Sequence, residues 1–76
     1  MANKYPILRP NDIISALSKK GFMYKSQKGS HIKYSNGNRI VIIPKHDTVA
    51  RGTLKSILLQ AGIELEDFLK LLYLKI

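Results

Sequence analysis

The sequence predicts an α+β domain in which a helix, a three-stranded antiparallel sheet and a helix are followed by an additional C-terminal helix. Two patterns predict this order. Apolar residues recur every three or four positions near both ends of the chain, whereas residues 22–44 carry strand-forming segments separated by glycine-containing turns. A chain of 76 residues suffices for one domain and is too short for two. We therefore expect a single domain that spans residues 1–76.

The first helix is predicted within RPNDIISALSKKGF, residues 9–22. Pro10 suits the first helical turn, and Asn11 or Asp12 favours the positive start of a helix. Gly21 follows two lysines and can adopt the left-handed conformation that ends a helix. The apolar stripe of this helix consists of Ile13, Ile14 and Leu17.

Three short strands are predicted next. FMYKSQ, residues 22–27, is followed by a tight KGS turn and then by HIKYS, residues 31–35. The NGN sequence at residues 36–38 is a strong hairpin signal, and RIVIIP, residues 39–44, is the third strand. Because both connections are short, the three strands should form an antiparallel meander.

The C-terminal part predicts two more helices. TLKSILLQAG, residues 53–62, ends at a glycine, and IELEDFLKLLYLKI, residues 63–76, starts with acidic residues that suit the positive end of a helix. Leu71 and Leu74 fall off the apolar stripe of the last helix, which fits either a place in the core or a contact with another chain. The two apolar faces are Leu54, Ile57, Leu58 and Ala61, and then Leu65, Phe68, Leu69, Leu72 and Ile76.

Charge gives the first indication of function. Thirteen Lys and Arg residues face five Asp and Glu residues, so the net charge is +8 and a polyanion such as nucleic acid is the expected partner. The chain has no cysteine, which excludes disulfides and thiolate metal sites. MANKYPILRP lacks the apolar core of a secretory signal, and FLKLLYLKI is too short to span a bilayer. We expect a soluble, cytoplasmic protein without a membrane partner.

One histidine is expected on the open face of the sheet. Side chains alternate along a strand, so Ile32 and Tyr34 share one face while His31 and Lys33 share the other. The apolar pair should pack against the helices, because one face of the sheet must be covered to form a core. The alternation therefore predicts that His31 and Lys33 point outward, next to Lys28 in the preceding turn.

These residue types suit chemistry on RNA. Histidine can accept or donate a proton near neutral pH, and RNA carries its own nucleophile, the 2′-hydroxyl group. Nearby lysines can stabilise the charge that develops on the phosphoryl oxygens. Backbone N–H groups of the Gly29–Ser30 turn can approach a phosphate. Such a reaction requires no metal and no cofactor.

His46, in PKHD, is the second candidate residue. It could order the loop before the second predicted helix or take part in RNA binding. His31, His46 and Asp47 together do not have the spacing of a known metal site, so we expect no metal. Tyr24 and Tyr34 could stack on bases, although Tyr34 alternates with Ile32 and is better explained as part of the core.

The succession PILRPNDIISALSKKGF, QKGSHIKY and IPKHDTVARGTLKSILLQAGIELEDFL resembles the HicA toxins of HicA–HicB toxin–antitoxin pairs in bacteria and archaea. The resemblance covers residues 5–70. The two most specific blocks are GSH with an aromatic residue three positions on, and PKH followed by GTLKSIL and QAG.

The resemblance implies a double-stranded-RNA-binding-domain-like fold and a metal-independent endoribonuclease that cuts mRNA and so arrests translation. It implies a HicB-type antitoxin that covers the active site, with the toxin and antitoxin able to form a higher-order assembly. The family's catalytic histidine lies in the GSH motif and corresponds to His31. The residues expected to contact RNA are Lys28, Gly29, Ser30, Lys33, Lys45, His46 and Arg51.

Two other functions fit the same sequence. A non-catalytic RNA-binding module would use Lys28, Lys33, Lys45 and Arg51 to bind phosphates by shape and charge. An interaction subunit would serve mainly to hold a protein partner. RNA cleavage by the purified protein, and its loss in a His31 variant, separate the enzyme from both alternatives.

Overall fold

The computed structural model describes residues 5–73 and contains three helices and three strands. Their order confirms the predicted α+β succession of helix, three-stranded sheet, helix and C-terminal helix. Leu74 and Ile76, which the sequence pattern assigned to the last helix, lie outside the described residues. The elements are α1 (Pro10–Ser18), β1 (Met23–Lys28), β2 (His31–Ser35), β3 (Ile40–Pro44), α2 (Arg51–Ala61) and α3 (Leu65–Tyr73).

The sheet is an antiparallel meander with β2 in the centre. Ile32 lies opposite Ile43, and Tyr34 lies opposite Val41. Residues directly opposite each other in an antiparallel pair share a face of the sheet. The register therefore gathers the apolar side chains of β2 and β3 on one side.

The helices cover that apolar side and form the core with it. Phe22, Val41, Ile43 and Phe68 are all at most 2% exposed. Burial of this kind removes apolar surface from water and is the main stabilising contribution in a domain that has no disulfide. The other buried core residues are Ile13, Ala16, Leu17, Val49, Leu54, Ile57, Leu58 and Ala61.

Two glycines permit tight connections that other residues would strain. Gly29 has a φ of 60° at the first position of the two-residue turn between β1 and β2, as in a type II′ turn. Gly62 has a φ of 72° and ends α2 in the left-handed conformation that the sequence predicted. The first of these turns determines where β2, and with it His31, begins.

The first strand differs from its prediction in three ways. It ends at Lys28, which the sequence assigned to the KGS turn and which instead pairs with His31. It begins at Met23 because Phe22 is buried in the core, and the Phe22 N–H donates to the Leu17 carbonyl at the end of α1. The register then shifts between Tyr24 and Ser26, so that β1 carries a bulge there. A bulge inserts an extra residue and increases the local twist of the strand.

The last helix packs onto the core through Phe68, and Leu71 is partly buried against the same core. The carbonyl of Leu71 also accepts a hydrogen bond from the Lys19 ammonium group at 2.7 Å. Leu71 therefore contributes to the domain itself. No helix among residues 5–73 is long and apolar enough to cross a lipid bilayer.

Truncation of Phe68 tests whether α3 is part of the cooperative domain. Phe68 is 0% exposed, whereas Leu59 on α2 is 69% exposed and provides a matched control. Phe68→Ala should lower the free energy of unfolding by about 3–5 kcal/mol. Leu59→Ala should lower it by less than about 0.5 kcal/mol. Urea unfolding followed by circular dichroism measures both, and equal losses would mean that α3 does not stabilise the core.

Candidate active site

His31 is exposed on the open face of the sheet. It is the first residue of β2 and follows the Gly29–Ser30 turn directly. Its neighbour Ile32 is only 6% exposed and points toward the helices, while Lys33 is exposed. The predicted alternation along this strand is therefore confirmed.

A row of paired residues crosses the sheet at this point. His31 lies opposite Lys28 on β1 and opposite Pro44 on β3. One further hydrogen bond continues the β2–β3 pairing past the strand ends, because the Lys45 N–H donates to the Ser30 carbonyl at 2.6 Å. The KGS turn and the start of the β3–α2 loop are thus held side by side.

An open cleft of about 450 Å³ lies beside His31, between the sheet and α2. We call it the histidine cleft, because both His31 and His46 line it. Its volume is within the range of sites that bind small molecules, about 300–1,000 Å³. The full lining is His31, Ile42, Pro44, His46, Thr48, Val49, Ala50, Thr53 and Gln60.

The loop that carries His46 is anchored on both sides of that residue. On one side is the bond between Lys45 and Ser30. On the other side, Val49 is 1% exposed, and its N–H donates to the Leu8 carbonyl at 2.7 Å. Only a short exposed segment separates the two anchors, so the backbone at His46 is restrained even though its side chain is exposed.

The α2 helix forms one wall of the histidine cleft. A side chain that the sequence did not identify as important joins this helix to the sheet. The Gln60 Oε1 accepts a hydrogen bond from the Ile42 N–H at 2.9 Å. This bond occupies a backbone donor of β3 and holds α2 against that strand. The α2 helix begins at the cleft, and its N-cap residue Ala50 makes no side-chain capping bond. The positive end of a helix favours negative charge.

The other predicted site residues do not line the histidine cleft, and Lys45 lines a second cleft instead. Lys28, Lys33 and Lys45 are exposed, and Lys33 lies opposite Ile42, which lines the cleft. Arg51 is the first residue of α2, and its Nε donates to the Tyr5 carbonyl at 2.8 Å. Part of the Arg51 guanidinium therefore fixes the N-terminal segment.

The residues considered as metal ligands do not form a cluster. Asp47 lines a second, smaller cleft together with Lys45 and His46, and this cleft does not include His31. Across the described part of the chain, no three His, Cys, Asp or Glu side chains lie close enough together to hold a metal ion.

The tyrosine pair of the first two strands lies on the core side of the sheet. Tyr34 is half-buried against the core, and Tyr24 is 57% exposed. Their rings meet edge to face with centroids 6.0 Å apart. This contact explains Tyr34 as a packing residue, in agreement with its alternation with Ile32.

The arrangement can transfer protons at a bound phosphate. It brings two imidazoles from different parts of the chain into one cleft, with lysines nearby. Imidazole is the side chain best suited to proton transfer near neutral pH. Thr48, Thr53 and Gln60 also line the cleft, and sequence reasoning missed them because isolated polar residues on a loop and a helix form no motif.

The family of this chain follows from the segment that matches a family model. Residues 10–63 match the family model described as the HicA toxin of bacterial toxin-antitoxin, which is more than half of the chain and extends from the start of α1 to just past α2. No curated protein matches the chain. The matched segment contains both histidines and the whole sheet. This chain therefore belongs to the HicA family of toxins from bacterial toxin–antitoxin systems.

Proposed function

We propose that the chain is the toxin of a HicA–HicB pair and acts as a metal-independent endoribonuclease on mRNA, with His31 as its general base. The observation that carries this proposal is the exposed His31 imidazole in the lining of the histidine cleft. Membership of the HicA toxin family supports the toxin role. Cleavage of mRNA would arrest translation, and the site of action would be the cytoplasm.

The reaction follows from the chemistry of RNA. His31 accepts the proton of a 2′-hydroxyl group, and the oxygen attacks the adjacent phosphorus. The bond between phosphorus and the 5′-oxygen breaks, and that oxygen takes up a proton. The products are a 2′,3′-cyclic phosphate and a 5′-hydroxyl end. A positioned proton-transfer group contributes a factor of about 10²–10⁴ to the rate of such a step.

Basic residues around the cleft support binding of the RNA backbone. Lys28 lies opposite His31, and Lys33 is on the same strand face two residues on. Lysine ammonium groups at these positions suit contacts with the phosphates of a bound RNA. The same positive surface suits an acidic antitoxin. We propose that a HicB-type protein covers the histidine cleft, and that toxin and antitoxin can form a higher-order assembly.

Replacement of His31 tests the catalytic role. His31→Ala should lower kcat/KM for RNA cleavage by at least about 100-fold, because the general base is lost. The parent should cut RNA in the presence of EDTA, and growth arrest by the expressed protein should disappear in the variant. Lys55→Ala, at an exposed position of α2 outside the histidine cleft, is the control and should keep the parent rate.

The far-ultraviolet circular dichroism of both variants should match that of the parent, because neither residue is in the core. Cleavage by His31→Ala at the parent rate would refute the assignment. RNA left intact by folded, antitoxin-free parent protein would instead indicate a binding module or an interaction subunit.

Charge-matched variants test which face binds RNA. Replacing Lys28 and Lys33 together with uncharged residues, in the non-cleaving His31→Ala protein, should weaken RNA binding. It should also make the dependence of the RNA affinity on salt shallower. The slope of log affinity against log salt should fall by about 1.4, at about 0.7 for each contact with single-stranded RNA. The control removes Lys55 and Lys70, which are exposed on α2 and α3. This control variant has the same net charge as the variant that lacks Lys28 and Lys33. Its slope of log affinity against log salt should stay at the value for the His31→Ala protein. Equal effects of the two pairs would contradict a specific binding face.

A further inference from the structure

The two histidines of the chain line one cleft although they are 15 positions apart in the sequence. His31 enters it from β2, and His46 enters it from the β3–α2 loop. Proximity in the chain does not bring them together. The antiparallel pairing does, because Pro44 lies opposite His31 and is only two residues before His46.

Hydrogen bonds restrain the backbone on both sides of His46. The Lys45 N–H donates to the Ser30 carbonyl, immediately before His31, so the chain segments next to the two histidines are bonded to each other. The bond from the Val49 N–H to the Leu8 carbonyl holds the far side of the loop. These bonds fix where the backbone of His46 lies relative to His31, and a proton-transfer group must be positioned to act.

The chemistry of the proposed reaction requires a second proton transfer. The attacking and leaving oxygens lie roughly in line on opposite sides of the phosphorus. A base that faces the 2′-oxygen is therefore badly placed to protonate the 5′-oxygen at the same time. A second imidazole in the same cleft meets this requirement.

We propose that His46 is a catalytic residue that donates a proton to the leaving 5′-oxygen; this inference rests on the proposed ribonuclease function. In the step, His31 takes the 2′-hydroxyl proton as the bond from O2′ to phosphorus forms. As the bond from phosphorus to O5′ breaks, its electron pair goes to O5′, which accepts the proton of the His46 imidazolium. The reaction leaves His31 protonated and His46 neutral, and exchange with water restores both.

A substrate with a better leaving group tests this role directly. The probe is an RNA oligonucleotide that spans a cleavage site mapped with the parent, in which sulfur replaces the bridging 5′-oxygen. A thiolate leaves without needing a proton. On ordinary RNA, His46→Ala should lower kcat by about 100-fold or more. On the sulfur substrate it should approach the parent rate, whereas His31→Ala should remain defective on both substrates.

The control is Asp47→Ala, the next residue of the same loop, which lines the second cleft and not the histidine cleft. It should behave as the parent on both substrates. His46→Gln, which keeps a polar side chain but cannot donate an acidic proton, should show the same rescue by sulfur as His46→Ala. This second variant separates proton donation from loss of a polar contact.

The results separate the two proposals. If His31→Ala is inactive but His46→Ala cuts ordinary RNA at the parent rate, the role of His46 is wrong and the ribonuclease proposal stands. If His46→Ala is equally defective on both substrates, or if sulfur rescues His31→Ala instead, His46 is not the acid. A folded, antitoxin-free parent that cuts no RNA, so that no cleavage site can be mapped, would refute both proposals.

Discussion

The register of the central strand is the constraint on which the site depends. Ile32 is buried and Tyr34 is half-buried against the core, because they lie opposite Ile43 and Val41 on the face that the helices cover. A shift of one residue would exchange the two faces of β2 and bury His31. The hydrophobic core and the outward position of the imidazole are therefore two results of the same pairing. The stability of the domain and the proposed chemistry therefore depend on the same strand.

Two backbone–backbone hydrogen bonds and one bond from the backbone to a side chain surround the histidine cleft. The Ser30 carbonyl holds Lys45, the Leu8 carbonyl holds Val49, and the Gln60 side chain holds the Ile42 N–H. The first two fix the loop that carries His46, and the third fixes α2 as the opposite wall. The site is thus assembled from a turn, a loop and a helix around one strand end. None of the three bonds involves a histidine, and both imidazoles are exposed.

Much of this fold could be predicted from the sequence, because its signals are local. Alternation placed His31 and Lys33 outward, and glycines identified the turns and the end of α2. The bulge near Lys25 has no local signal, since it arises from how β1 pairs with its neighbour. The role of Arg51 in holding Tyr5, and the shared cleft of His31 and His46, depend on contacts between distant parts of the chain. The sequence identified both histidines as candidate residues but did not predict that they line one cleft.

NMR titration of the parent protein tests most directly whether both histidines lie at the site that binds RNA. The ligand is an RNA oligonucleotide that has one 2′-deoxynucleotide at a mapped cleavage site. Without the 2′-hydroxyl group this bond should stay intact, so the complex can be observed. The imidazole resonances of His31 and His46 should shift along the same binding curve, while the ring resonances of the buried Phe68 should not move. RNA that binds without moving either imidazole, or that is cut at the deoxynucleotide, would contradict the account.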